Sequence, residues 1–144
     1  VFGTSSGGTH AGLVLGQRLF GYGGKVLGIS IDEPEAWLKQ HVSALASAAS
    51  ERFGEFIQFQ PQDILADASY CSAGYGALTD AEREAVRLFA RSEGLLLDPV
   101  YTGRAAAGLI DLVRKGFFKK TDTVLFWHTG GQPALFSEQY ADKI

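Results

Sequence analysis

The stretch Thr4-Ser5-Ser6-Gly7-Gly8-Thr9-His10-Ala11-Gly12 lies between an apolar lead-in, Val1-Phe2, and a run from Ala11 to Phe20 with the spacing of a helix. Hydroxyls and glycines gathered at a helix entrance make an anion cradle. Glycine lets the backbone approach closely, and the unpaired N–H groups of a helix start point at negative charge. A phosphate is the natural guest. A Ser/Gly-rich turn that only caps a helix has the same composition, so the choice rests on the surroundings.

Working outward, Val1-Phe2 reads as the end of a strand feeding the cradle. From Thr9 to Phe20 the apolar positions Ala11, Leu13, Val14, Leu15 and Leu19 predict a mostly buried helix, stopped by Gly21-Tyr22-Gly23-Gly24. Lys25 to Ile31 is a short β-branched apolar run, the pattern of a buried parallel strand. Asp32-Glu33-Pro34 opens a helix from Pro34 to Phe53, with acidic residues near its positive end and proline in the first turn. Trp37, Leu38, Val42, Leu45 and Ala49 or Phe53 are expected on its inner face. Strand, loop, helix, strand, helix predicts an α/β fold: a three-layer, mostly parallel sheet with helices on both faces.

The middle of the chain is less regular. One short strand is expected within Ile64–Tyr70, and Gly74-Tyr75-Gly76 is a turn. Thr79 with Glu82 three residues on is a capping box opening the helix Ala81–Ser92, ended by Gly94. Leu95 to Tyr101 leads to a second loop-to-helix junction at Thr102-Gly103, before a helix from Ala105 to Lys115. Thr123 to Trp127 predicts another buried strand, followed directly by His128-Thr129-Gly130-Gly131.

Composition narrows the function classes. With 144 residues, 46% hydrophobic and 20% charged, the chain is about one soluble domain with a real core. A net charge of -3 gives no basic face for nucleic acid. The single cysteine, Cys71, excludes an intrachain disulfide and fits a reducing, cytoplasmic compartment. No apolar run approaches the roughly 20 residues of a membrane span, and no metal-ligand spacing is present. The lack of any methionine, with a motif opening almost at once, leads us to expect a chain that begins within a domain.

Ligands of open parallel sheets bind at the carboxyl ends of strands. Three polar clusters follow predicted strand ends: Thr4 to Thr9, Tyr101-Thr102-Gly103 and His128-Thr129-Gly130-Gly131, with Gly74-Tyr75-Gly76 able to join them. Each alone is as well explained by core packing or capping. Together they favour a cofactor pocket.

At these residues the chain resembles the D-cysteine desulfhydrase and 1-aminocyclopropane-1-carboxylate deaminase family, pyridoxal-phosphate enzymes of the tryptophan-synthase β-type fold. The resemblance is carried by Thr4–Gly12, Gly74-Tyr75-Gly76, Asp98-Pro99-Val100-Tyr101-Thr102-Gly103, Gly108-Leu109-Ile110-Asp111 and His128-Thr129-Gly130-Gly131. It implies that Ser6, Gly7, Gly8 and Thr9 hold the cofactor phosphate, flanked by Thr4 and Ser5, with Ser5 standing where family members usually carry glycine. It makes Tyr75 and Tyr101 the active-site tyrosines, and Thr102 or Thr129 the partner of the pyridine nitrogen. The deaminase branch resembles this chain but has glutamate after the second tyrosine and leucine at the position of Thr129. A neutral threonine leaves the nitrogen unprotonated and the ring a weaker electron sink, sufficient for α-proton removal and β-elimination. The resemblance therefore implies a desulfhydrase-like reaction of a small amino acid to pyruvate, ammonia and sulfide.

The resemblance covers the C-terminal part of such an enzyme. The family's cofactor-bearing lysine and its small domain are expected outside this sequence, and none of the six lysines is nominated for that role. Self-association or a homo-oligomer is expected, to cover the exposed sheet edge and apolar surface. The alternatives are a deaminase-like activity or a non-catalytic module binding phosphate compounds or a partner. A nucleotide-binding domain ranks last, for want of a Gly-x-Gly-x-x-Gly fingerprint and a P-loop lysine.

Overall fold

The computed structural model describes residues 1–144. A parallel sheet in the order β1-β2-β3 is built from β1 (Phe2–Thr4), β2 (Leu27–Ser30) and β3 (Leu65–Asp67). The helices are α1 (Gly8–Leu19), α2 (Glu35–Arg52), α3 (Asp80–Glu93) and α4 (Thr102–Arg114). Single 3₁₀ turns occupy Pro61–Asp63 and Gln132–Phe136. No helix is long and apolar enough to cross a membrane.

Alternation along the strands sorts the two faces. Phe2 pairs with Gly28, and Gly28 with Ala66. That face carries α1 and α2, whose Ala11, Val14, Leu15, Leu38, Val42 and Ala46 form the largest core cluster with Phe59, Ile64 and Ala66. The residues between them point the other way. Ile29 packs against Ala105 and Leu112 of α4, and α3 lies against α4 through Ala85, Val86, Ala106 and Ala107. The result is the expected three-layer α/β arrangement.

Three expectations need correction. On α2 the buried stripe is Leu38, Val42, Ser43, Ala46 and Ser50. Trp37 is 41% exposed and stacks on His41, and Phe53 is exposed. Ser50 lies in that stripe and accepts from Ile57 N–H at 2.8 Å, and the half-buried Ser47 beside it accepts from Phe59 N–H at 2.9 Å, so α2 supplies acceptors to the returning chain. Second, α4 begins at Thr102, not Ala105, because Asp98 holds its entrance. Third, Thr123–Trp127 is neither a strand nor buried. Val124, Leu125 and Trp127 are exposed, and Phe126 packs partly against Phe89. The segment runs beside β1 but finds partners only at Val1, whose amino group donates to Leu125 O at 2.7 Å and whose carbonyl accepts from Trp127 N–H at 2.9 Å. Those two bonds follow the parallel ladder pattern, and one residue of pairing does not make a strand.

His10, on α1, is fully buried edge-on to Phe2 at 5.0 Å, with neither ring nitrogen bonded. Burial lowers its pKa from 6.5 to about 4. The folded state therefore keeps His10 neutral while the unfolded chain takes up a proton first. Its contribution is complete above pH 6.5 and falls as the pH drops towards about 4, by about 3 kcal/mol over that window. Urea midpoints across this range are expected to fall less steeply for His10→Leu than for the parent. Equal slopes would exclude His10 as the source.

Candidate functional site

β1 ends at Thr4 and the chain turns through Ser5 and Ser6 to Gly7, which has φ 80°. A Cβ at Gly7 would also lie 3.1 Å from Val42 Cγ2 and 3.2 Å from the His41 ring, so both the left-handed backbone and the close approach of α2 call for glycine. The first backbone bond of α1 is Ala11 N–H to Gly7 O at 2.8 Å. The N–H groups of Gly8, Thr9 and His10 therefore have no protein acceptor, as the geometry of a helix start dictates. Nothing lies within 4 Å of a Cβ built on Gly8, and the first turn contains no acidic residue. Ser6, Gly8 and Thr9 are exposed, Ser5 is half-buried and Gly7 is buried. His41 Nε2 lies 3.2 Å from Ser6 O and braces the loop from α2. The buried Thr4 Oγ1 has no hydrogen-bond partner.

The second cluster adjoins the first. Tyr101 O would come within 3.1 Å of a Cβ on Gly3, so the α4 entrance passes directly over the end of β1. Tyr101 Oη and Tyr75 Oη are 2.6 Å apart, with the rings edge to face at 6.0 Å. Both remain accessible, Tyr75 at 60% and Tyr101 at 39% exposure. The hydrogen bond to Tyr75, then burial and the charges of Asp32 and Asp98, raise the Tyr101 phenol to about 12. Tyr101 thus holds its proton at neutral pH.

Asp98 sets this geometry. Its Oδ2 accepts from Val100 N–H at 2.8 Å and Tyr101 N–H at 2.7 Å, and its Oδ1 accepts from the Thr102 N–H and hydroxyl, both at 2.7 Å. Thr102 Oγ1 accepts in turn from Asp98 N–H at 2.9 Å. Thr102 is buried and its hydroxyl is committed to Asp98. Thr129, by contrast, is exposed on a loop held by His128, whose Nδ1 accepts from Gly130 N–H and whose Nε2–H donates to Leu96 O at 3.1 Å. A Cβ on Gly131 would lie 2.7 Å from Asp98 Cγ, so this loop abuts the same carboxylate. The polar clusters thus adjoin one another, although only Thr4–Thr9 follows a strand.

Two residues that the sequence reading passed over, Arg104 and Tyr140, hold the site together with Glu82 of the capping box. Arg104, with no solvent exposure, pairs with the buried Glu82 at 2.8 Å. It also donates to the carbonyls of Ile31 at 2.5 Å, Gly74 at 3.0 Å and Ala77 at 3.0 Å. Burial works against the charge on Glu82, but hydrogen bonds from Thr79 and Arg104 outweigh it and hold its carboxyl below the ordinary value. Tyr140, in the C-terminal tail, donates to Gly76 O at 2.6 Å. The available signal was a lone arginine in a run of alanine and glycine, Gly103-Arg104-Ala105-Ala106-Ala107-Gly108.

A parallel sheet whose strand runs into a helix start lined with unpaired N–H groups, next to a hydroxyl pair, is an α/β domain of the class that holds phosphate-bearing small molecules. Residues 1–130 match the family described as "Pyridoxal-phosphate dependent enzyme", and the chain belongs to that family. It is 39% identical over 132 residues to a 1-aminocyclopropane-1-carboxylate deaminase of Methylobacterium nodulans, covering 92% of this chain and 39% of the relative. It is 42% identical over 137 residues to a D-cysteine desulfhydrase of Salmonella typhi, covering 95% of this chain and 41% of the relative. The crystal structure of an ACC deaminase homologue superimposes with a TM-score of 0.83 at 34% identity, over 99% of this chain and 42% of that one. The chain thus spans about two fifths of the length of these proteins.

Proposed function

We propose that this chain is the C-terminal part of the cofactor-binding domain of a pyridoxal-phosphate-dependent lyase acting on a small amino acid. The proposed reaction is that of a D-cysteine desulfhydrase, α,β-elimination to pyruvate, ammonia and sulfide. The observation that carries the reading is the cradle: unpaired N–H groups of Gly8, Thr9 and His10 beside a buried Thr4 hydroxyl without a partner. Those groups fit a phosphate ester, with Ser5, Ser6, Gly7 and Thr9 shaping the loop around it. When bound, pyridoxal phosphate supplies an electron-withdrawing ring that acidifies the α-hydrogen of an attached amino acid.

The remaining work falls to residues of this chain. The cradle binds and orients the phosphate through backbone donors at the positive end of α1. The phenols of Tyr75 and Tyr101, 2.6 Å apart, form a pair in which either oxygen can donate. Tyr101 Oη keeps its proton at neutral pH and can donate to Tyr75 Oη, which in turn can donate a hydrogen bond to a departing thiolate and stabilise its charge. Thr129, exposed and neutral, is the better placed threonine for the pyridine nitrogen, since the Thr102 hydroxyl is already bound to Asp98. No carboxylate follows Tyr101 in the sequence, which favours elimination over cyclopropane opening. Cytoplasmic location and self-association through the apolar surface of Leu95, Leu96, Leu125 and Trp127 belong to the same reading.

In the full-length protein loaded with pyridoxal phosphate, D-cysteine is expected to yield sulfide and pyruvate. Tyr101→Phe should lower kcat by about 100-fold, the scale of a lost hydrogen-bond donor to a developing anion. The 39% identity to a deaminase supports a second reading. Ammonia from 1-aminocyclopropane-1-carboxylate without sulfide from D-cysteine would establish that reading instead. Binding of phosphate compounds without turnover of either substrate would leave a non-catalytic module.

A further inference from the structure

The Tyr75 turn is held from two sides by groups that no part of the proposed chemistry uses. From beneath, the buried Arg104 guanidinium donates to the carbonyls of Gly74 and Ala77, either side of Tyr75, and to Ile31 O at the end of β2. From the C-terminal tail, Tyr140 Oη donates to Gly76 O at 2.6 Å. Gln139 Nε2 adds a longer bond of 3.3 Å to the same carbonyl. Tyr75 itself makes one side-chain bond, to Tyr101, and is largely exposed. The position of its hydroxyl is therefore set by its backbone, and its backbone by Arg104 and Tyr140.

We infer that Arg104 and Tyr140 are positioning residues that fix the Tyr75 turn so that its hydroxyl meets that of Tyr101. The guanidinium suits this task because its planar fork can satisfy several acceptors at once, which a lysine ammonium on a flexible stem does less well. Glu82 sets the orientation of the fork by binding its Nε at 2.8 Å. A phenol in the tail adds a hold that depends on residues far along the chain. Neither group reaches reacting atoms. Their effect is transmitted through the one exposed side chain whose backbone they grip.

This inference rests on the proposed role of Tyr75, and the test separates the two. In the full-length holoenzyme, Tyr75→Phe is expected to lower kcat by at least 10-fold; if it does not, the proposed role of Tyr75 fails. Given that loss, two further variants are read. Arg104→Met with Glu82→Gln removes the carbonyl clamp without stranding a buried charge, and glutamine preserves the capping box with Thr79. Tyr140→Phe removes one bond and leaves the core charges intact, so it decides the matter if the double variant does not fold. Each is expected to lower kcat several-fold with cofactor affinity and KM little changed. Neither should lower it further in a Tyr75→Phe background, because groups that act through one residue are not additive. Each should also bring the Tyr101 phenol down towards the ordinary range, as Tyr75→Phe does, in a titration of ring-labelled tyrosine. Losses that add to that of Tyr75→Phe, or a Tyr101 titration unchanged in both variants, would overturn the inference.

Discussion

Arg104→Met alone is expected to be among the most destabilising single substitutions in this chain, costing about 3–5 kcal/mol. The cost comes less from the lost bonds than from what remains. Glu82 is 2% exposed, and without the guanidinium its carboxylate keeps only the hydrogen bonds from Thr79 at the start of α3. The carbonyls of Ile31, Gly74 and Ala77 lose their shared donor at the same time. Adding Glu82→Gln removes the stranded charge and should recover most of the loss, since a buried pair replaced by neutral groups is often close to neutral. Urea denaturation of the parent, the single and the double variant measures this directly. A single-variant loss of no more than about 1 kcal/mol, the scale of an exposed ion pair, would show that Arg104 is not the keystone described above.

Asp98→Asn is expected to cost about 3 kcal/mol and to disturb the site at its centre. The carboxylate accepts bonds from three backbone N–H groups and one hydroxyl, shared between its two oxygens. Asparagine keeps one acceptor oxygen and turns an NH₂ towards donors that need an acceptor. It also removes a negative charge from the entrance of α4, where the helix dipole favours one. The backbone of Tyr101 would lose its anchor, so turnover should fall together with stability. The contrast with Tyr101→Phe is informative: that variant should lose turnover with little change in the urea midpoint. Were Asp98→Asn to melt like the parent, the α4 entrance would have to be held by something other than this carboxylate.

These two residues mark where reading the chain by pattern succeeds and where it stops. Apolar spacing and turn residues were enough to place α1, α2 and α3, and the Thr79–Glu82 capping box is present as its spacing predicts. The alternation between cradle and helix also located the Gly7–Thr9 helix start, because that signal is local. Thr102 illustrates the limit. The resemblance names its hydroxyl, or that of Thr129, for the pyridine nitrogen, yet in the fold it closes back on a carboxylate four residues earlier. Asp98 before Pro99 is itself a turn signal, and its carboxylate accepts from the N–H two residues on, as in an Asx turn. The run Thr123–Trp127 has the composition of a strand, yet it forms only two ladder-like bonds, both to Val1, and Val124, Leu125 and Trp127 stay exposed. Arg104 lies further out of reach. Its acceptors come from positions 22 to 73 residues away, and no local pattern encodes their convergence.

That separation has a consequence for how the chain acquires its shape. The cluster of α1, α2 and β3 is drawn entirely from residues between Ala11 and Ala66, so it can condense from one continuous piece of polypeptide. The guanidinium bonds cannot. They require β2, the Tyr75 turn, the start of α3 and α4 to be assembled already, at the entropic cost of closing long loops. The scaffold that presents the cradle can thus precede the tyrosine pair, whose alignment has to wait for those longer closures.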